Sequence, residues 1–199
     1  MAGDIGQDNT ALAREKALSP EDLRHRLFAS SVWELPFGKG RARLNHGVAG
    51  YIAGGWQLSP IFTAQSGLPF TPGIAGNPAN TTGGIRPDRL ADGNLARGQR
   101  GPDRWFDGSA FAVPAPFRFG SSGNFILEGP GLVNLDLSIA RTFPMSERLR
   151  LDFRGEFFNL LNQAHFAFPN ATIGQPTTGV ISSTLDSARQ IQFGLKLIF

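Results

Sequence analysis

The last ten residues of the chain, "QIQFGLKLIF" (190–199), decide the fold. Every odd position from Ile191 to Phe199 is apolar, whereas the even positions from Gln190 to Lys196 are polar or glycine. Strict alternation of this kind predicts a β-strand with one apolar face and one mainly polar face. A tilted strand of about nine to eleven residues also crosses the hydrocarbon core of a bilayer. The segment therefore predicts a membrane-length strand that reaches the last residue.

The same alternation recurs in four earlier segments, so we predict an all-β, antiparallel fold. Two segments are strong, near 131–143 and 147–160, and the short stretch "PMSE" between them is typical of a tight antiparallel hairpin. Two weaker ones lie near 23–35 and 55–70, and the last predicted strand covers 188–199. Ser19 before Pro20 also resembles a helix N-cap, but the alternation that follows favours a strand. Pro60 requires an edge, a bulge or a break in the ladder.

Charged residues in the fourth predicted strand identify its polar face. Five of them occupy alternate positions between apolar residues: Arg148, Arg150, Asp152, Arg154 and Glu156. Unpaired charges are too costly in a dry core, so these side chains must face water or one another. Asp152 and Glu156 lie about 13 Å apart on an extended strand, which is too far for a pair of catalytic carboxylates and fits cross-strand ion pairing.

The connections between the predicted strands are very unequal in length. Residues 71–130 and 161–187 form long irregular loops, whereas 144–147 is a tight turn. Transmembrane β-barrels have short turns on the periplasmic side and long loops outside. The connection 36–55 is too long for a simple periplasmic turn, and it predicts either an extended strand or a short helix. We therefore expect about five strands of a transmembrane β-barrel.

The C-terminal octet resembles the signal that the outer-membrane barrel-assembly machinery reads, with Gln192, Gly194, Leu197 and Phe199 at its matched positions. A last strand is a free edge, which strand addition can recognise. More broadly, the chain resembles the C-terminal part of a TonB-dependent outer-membrane receptor of the Oar-like group, which carries a carboxypeptidase-regulatory-like N-terminal domain. The segments that carry the resemblance are "DLRHRLFASSVWELPFGKGR", "GGWQLSPIFTAQSGLPFT", "RWFDGSAF", "GPGLVNLDLSIARTFPMSERLRLDFRGEFFNLLNQAHF" and "RQIQFGLKLIF".

This resemblance implies a parent receptor in the outer membrane that takes up a large substrate, with energy coupled through TonB. Such a barrel has roughly 22 strands around a plug, so we expect residues 22–199 to be an incomplete barrel that does not transport alone. The implied partners are outer-membrane lipid, the assembly machinery and the N-terminal barrel and plug of the same receptor, with TonB reached only through that missing part. Residues 1–21 are expected to be a disordered remnant of an outside loop, and the chain shows no signal peptide of its own.

Composition and motifs give no support for other chemistry. The net charge is +3, but the 19 lysines and arginines form no basic stripe, so we expect no nucleic-acid partner. There is no cysteine, and His25, His46 and His165 lack metal-ligand spacing. The glycine-rich segment 66–84 lacks the lysine of a phosphate-binding loop. No nucleophile motif is present either, so we expect no enzyme, no metal and no cofactor.

Two alternatives remain at this point. Trp105 and Phe106 in the first long loop either pack the loop onto the barrel rim or contact a ligand. The whole chain is alternatively a soluble carbohydrate-binding β-sandwich, which would bury the apolar strand faces instead of presenting them to lipid. An enzyme remains only if its chemistry lies outside recognisable motifs.

Overall fold

The structure is a computed structural model that describes residues 6–8, 10–38, 43, 46–81 and 83–199. The chain forms two compact units. The sheet unit comprises Arg26–Gln65, Val133–Ala164 and Asp186–Phe199, and the loop unit comprises Ser66–Leu132, His165–Leu185 and the described residues up to His25.

Most regular structure within the described residues is β-strand. The strands are β1 (Arg26–Ser30), β2 (Trp33–Glu34), β3 (Trp56–Gln65), β4 (Pro69–Phe70), β5 (Gly73–Ile74), β6 (Asp88–Arg89), β7 (Phe111–Ala112), β8 (Leu127–Glu128), β9 (Leu132–Pro144), β10 (Arg150–Phe158), β11 (Thr172–Ile173) and β12 (Gln190–Ile198). The helix α1 covers Gly47–Ala53, and 3₁₀ turns cover Leu12–Glu15, Arg97–Gln99 and Gly108–Ala110. No helix in the described ranges is long and apolar enough to cross a membrane.

The sheet unit is one sheet with the strand order β1–β3–β9–β10–β12, and β2 also pairs with β3. Pairing is antiparallel between β1 and β3, between β9 and β10, and between β10 and β12. The predicted all-β, antiparallel fold is therefore confirmed. Within the described residues β1 and β12 are the two outer strands of this order, so the sheet does not close on itself.

The tight turn between β9 and β10 is longer than the sequence suggested. The backbone N–H groups of Met145 and Ser146 both donate to the carbonyl of Leu149, at 2.9 and 3.0 Å. The Ser146 hydroxyl accepts in return from the N–H of Leu149, at 3.1 Å. These bonds keep residues 145–149 out of the ladder, and β10 begins at Arg150. Arg148 was predicted within the strand and instead lies in the turn.

The region before β3 shows whether a helix starts at Pro20 and what the connection 36–55 forms. The N–H groups of Glu21 and Asp22 bond to Ser19 in a turn, and no helix starts at Pro20. In the connection 36–55, α1 is the short helix that the length of this segment allowed, while residues 39–42, 44 and 45 lie outside the described part. Pro60 lies within β3, opposite the interval between β1 and β2, so the ladder on that side is broken where proline cannot donate.

The loop unit has a hydrophobic core of its own. Its buried members are Phe70, Phe106, Ala110, Phe111, Leu127 and Ile173. Short strand pairs surround them: β4 with β8, β6 with β7, and β5 with β11. The two long connections therefore fold together into a packed body, because their scattered aromatic residues share one cluster.

Residues 1–21 were expected to be disordered, but the described residues of this segment are ordered. Leu12–Glu15 forms a 3₁₀ turn, and the side chain of Gln7 is buried. Glu15 accepts two hydrogen bonds from the guanidinium of Arg86, at 2.6 and 2.7 Å. Gln7 also donates to the carbonyl of Gly120 at 3.0 Å. These contacts tie the segment to the loop unit, whereas residues 1–5 and 9 lie outside the described part.

Candidate functional site

The polar face of the sheet carries the charges predicted from β10. Asp152 lies opposite Thr142 on β9 and Lys196 on β12, and it accepts a 2.7 Å hydrogen bond from the Thr142 hydroxyl. Glu156 lies opposite Gln192 and accepts a hydrogen bond from its amide. Polar side chains on three neighbouring strands thus meet on one face, as cross-strand pairing requires.

Arginines complete this polar wall. Arg154 forms a 2.8 Å ion pair with Glu156, two positions along the same strand. Arg150 is exposed at the start of β10, and Arg148 is exposed in the turn before it. The wall therefore carries charges of both signs, of which Arg154 and Glu156 form an ion pair, while Arg150 remains exposed.

The opposite face is apolar, and its side chains on the outer strand β12 are uncovered. On β12 the side chains of Ile191, Phe193, Leu195 and Leu197 are all more than half exposed. On β10, Phe153 stacks against Phe193 with ring centroids 6.0 Å apart, and Phe157 meets the same ring edge-on at 6.2 Å. A soluble sandwich would bury this face, so its exposure is the reverse of what the carbohydrate-binding alternative requires.

The four residues predicted to form a barrel-assembly signal follow the same division of faces. Gln192 and Gly194 lie on the polar side of β12, whereas Leu197 lies on the apolar side. Phe199 follows the strand and is 95% exposed. Gly194 lies opposite Arg154, and a Cβ there would meet only a carbonyl oxygen at 4.0 Å. Within the described residues nothing pairs with the outer edge of β12, and strand addition needs such an edge.

Arg141 is the residue of this sheet that sequence reasoning missed. It lies on the apolar face of β9, directly opposite Phe153 on β10, yet it is only 7% exposed. Its two terminal nitrogens donate to the carbonyl oxygens of Tyr51 and Ile52 at the end of α1. The available signal was a single arginine at an odd position of an otherwise apolar series.

The two aromatic residues proposed as loop ligand contacts have different environments. Phe106 is 2% exposed, and its ring packs on Phe70 at 5.8 Å and on Phe111 at 6.3 Å. A ligand contact by Phe106 is therefore corrected to a core position. The indole of Trp105 donates to the carbonyl of Glu128 at 2.8 Å and lies under the guanidinium of Arg100 at 5.8 Å.

A shallow cavity of about 160 Å³ lies in the loop unit close to this pair. Arg100 and Glu128 form a 3.0 Å ion pair on its wall, and Asn94 and Asp22 also line it. The polar groups of Asn94 are used internally, because its amide donates to Ile126 and accepts from the N–H of Glu128. Three polar residues of the lining, Arg100, Glu128 and Asn94, are therefore already engaged in internal contacts.

Two carboxylates of the loop unit have lowered pKa values. The hydrogen bond from the Ser109 hydroxyl, at 2.8 Å, lowers the pKa of Asp107 most, and Arg104 lowers it further. The guanidinium of Arg86 does the same to the pKa of Glu15. Both carboxylates are held ionised at neutral pH, which suits structural anchors better than proton-transfer groups.

The histidines lie apart from one another. The N–H of His25 donates to the Ser66 hydroxyl, and the carbonyl of His25 accepts from the N–H of Ser66. His46 precedes α1, and His165 is buried in the loop unit. Among the described residues, no group of three or more His, Asp or Glu side chains could hold a metal ion.

Together these features define a class of protein. A sheet whose strands of nine to thirteen residues have one apolar face, exposed on β12, and one polar face that carries the charges of β10 fits the wall of a transmembrane β-barrel. Residues 2–192 match the family model described as "Outer membrane beta barrel domain", and the chain belongs to that family. No curated protein and no solved structure shows a significant match.

Proposed function

We propose that the chain is the C-terminal barrel segment of a TonB-dependent outer-membrane receptor of the Oar-like group, which takes up a large substrate. The observation that carries the proposal is the polar wall, because its charged side chains on β10 and their hydrogen-bond partners on β9 and β12 are suited to a wide, wet interior that holds a plug. The terminal strand, with Gln192, Gly194, Leu197 and Phe199, suits recognition by the barrel-assembly machinery.

In this proposal the parts of the chain have separate roles. The sheet supplies wall strands whose apolar face contacts outer-membrane lipid and whose polar face contacts the plug of the same receptor. The long connections after β3 and after β10 supply the outside surface that substrate meets first. Energy coupling through TonB belongs to the plug region, and this segment contributes no catalytic step and no cofactor site.

The first test is the DNA immediately upstream of the Met1 codon, read in all frames. We expect an in-frame barrel, a plug and a segment that contacts TonB. The encoded receptor should then retain the purified periplasmic domain of TonB on a column, and a variant without the plug is the matched control. A promoter and ribosome-binding site directly before Met1, with no upstream barrel, would refute the receptor role.

A further inference from the structure

The short helix α1 is attached to the apolar face of the sheet unit by one arginine. Arg141 shares this face with Ile139 and Phe143, and both of its terminal nitrogens bond to carbonyls in the last turn of α1. The last carbonyls of a helix have no partner within the helix, and a cation there also interacts favourably with the helix dipole. Arg141 therefore holds α1 by the groups that the helix itself leaves free.

Aromatic rings enclose the same guanidinium. Its carbon lies 4.1 Å from the ring centroid of Phe143, 5.4 Å from that of Tyr51 and 5.5 Å from that of Trp56. The indole of Trp56 also donates to the carbonyl of Ile52 at 2.9 Å. The charge of Arg141 is thus covered by rings and helix backbone and kept away from the surface of the apolar face.

The position of α1 along the strands follows from the ladder. It directly precedes β3, whose first residue, Trp56, contacts Phe143 and Phe153 edge-on at 6.3 and 5.7 Å. Phe143 is one residue from the end of β9, where the tight turn to β10 starts. Short turns of outer-membrane barrels are periplasmic. The helix therefore lies near the periplasmic rim of the wall.

The uncovered side of α1 is apolar. Val48, Tyr51 and Ile52 are 75%, 59% and 63% exposed. The sequence from His46 to Gln65 contains no Asp, Glu, Lys or Arg. These side chains extend from the same face as the exposed apolar residues of β12, and in a barrel of this family that face meets lipid.

We propose that α1 is an interfacial anchor that lies in the headgroup region of the periplasmic leaflet, with Val48, Tyr51 and Ile52 in contact with phospholipid. Interfacial helices insert their apolar side to the boundary of headgroups and acyl chains, and tyrosine and tryptophan prefer that depth. The exposed apolar side of α1 continues the apolar face of the sheet, and we infer that the same lipid covers both. The absence of charge in this segment of the sequence favours lipid over a charged partner protein. The inference depends on the barrel family and not on the uptake role.

Arg141 has a defined part in this arrangement. An arginine that faced acyl chains directly would be unfavourable, and long cationic side chains normally extend toward the interface to avoid it. Here the guanidinium of Arg141 stays on the apolar face and is bonded by the carbonyls of α1. Arg141 is thus a positioning residue that fixes the depth and direction of α1, and α1 in turn keeps lipid away from the charge.

The depth of α1 can be measured with spin labels, because the natural chain has no cysteine. The full chain would be reconstituted in phosphatidylethanolamine–phosphatidylglycerol vesicles with a label at Ile52→Cys. Leu195→Cys, on the apolar face of β12, marks the hydrocarbon, and Ser146→Cys, in the turn, marks water. We expect the Ile52 label to have an oxygen-to-nickel accessibility ratio between the two, at a depth of about 5–10 Å from the headgroups.

Each other result overturns the proposal. A ratio at position 52 equal to that at Ser146 means that α1 lies in water and would need a protein to cover it. A ratio equal to that at Leu195 means that α1 enters the core. If the label at Leu195 itself reports water, the sheet does not take lipid as its occupant and the anchor fails with it.

A second pair of variants tests the arginine. In Arg141→Met the side chain keeps its length but loses its donors, so we expect the label at position 52 to gain nickel accessibility several-fold. Arg141→Lys keeps the charge but has a single donor nitrogen in place of two terminal ones, and it should give an intermediate shift. If both variants leave the ratio unchanged while the Leu195 label still reports hydrocarbon, Arg141 does not position α1.

Discussion

Replacing Phe106 with alanine tests whether the long connections form a packed body or a set of open loops. The ring is 2% exposed and packs edge-on against Phe70 and Phe111. Truncating a buried phenylalanine to alanine lowers the free energy of unfolding by about 3–5 kcal/mol. Since every 1.4 kcal/mol is tenfold in an equilibrium constant, the open fraction of the loop unit should rise by roughly two to three and a half orders of magnitude.

Limited digestion of the full chain in detergent micelles measures this change. Cleavage follows the population of the open form when reclosing is faster than cutting. Phe117→Ala is the matched control, because it removes the same atoms from a side chain that is 83% exposed. We expect rapid cleavage within 66–132 for Phe106→Ala and an unchanged rate for Phe117→Ala.

Equal cleavage rates for the two variants would refute the reasoning. They would mean that the cluster around Phe106 does not hold the loop unit together. A loss of substrate binding by the full receptor without any change in cleavage would instead restore Phe106 as a ligand contact.

Other predictions concern the anchors, the ladder and the terminal residue. The bond from Arg86 lowers the pKa of Glu15. The ion pair should therefore stabilise the loop unit fully above the ordinary carboxyl pKa, and this stabilisation should be lost as the pH falls through the lowered pKa. In Glu15→Gln the protease resistance of the loop unit should no longer show this loss in acid. Gly155→Ala should lower the free energy of unfolding by about 1–3 kcal/mol, measured by thermal unfolding in micelles, because its Cβ would lie 3.1–3.2 Å from two neighbouring side chains. Gly194→Ala is the control: its Cβ has room, so its free energy of unfolding should be unchanged. Phe199→Ala should lower the amount of receptor in the outer-membrane fraction several-fold by immunoblot, with wild-type melting of the assembled protein, because Phe199 packs on almost nothing.

The sheet was predictable from sequence because strand periodicity is local information. Alternation in 131–143 and 188–199 identified both the strands and their faces. The cross-strand contacts of Asp152 and Glu156 are hydrogen bonds from Thr142 and Gln192, and the ion pair of Glu156 is with Arg154 on its own strand. The exact start of β10 was not predictable, because the turn bonds of residues 145–149 compete with the ladder for the same backbone groups.

The loop unit was not predictable in the same way. Its strands have only two residues each, which is too short for any period to show. Its core joins Phe70, Phe106 and Ile173, which are far apart in sequence. Trp105 and Phe106 are neighbours with opposite roles, one partly exposed beneath Arg100 and one buried, and only the tertiary contacts distinguish them.

Two irregularities of the sequence explain each other. The connection 36–55 is longer than a periplasmic turn needs, and Arg141 interrupts an apolar series on the face that we propose meets lipid. Each feature is unfavourable alone: the end of α1 leaves backbone carbonyls without donors, and an arginine that faces lipid has no acceptor for its hydrogen bonds. Brought together, the carbonyls of α1 accept from the guanidinium, and three aromatic rings cover what remains. A variant with a shortened connection that lacks α1 should therefore keep a stable sheet only if Arg141 is replaced by an apolar residue at the same time.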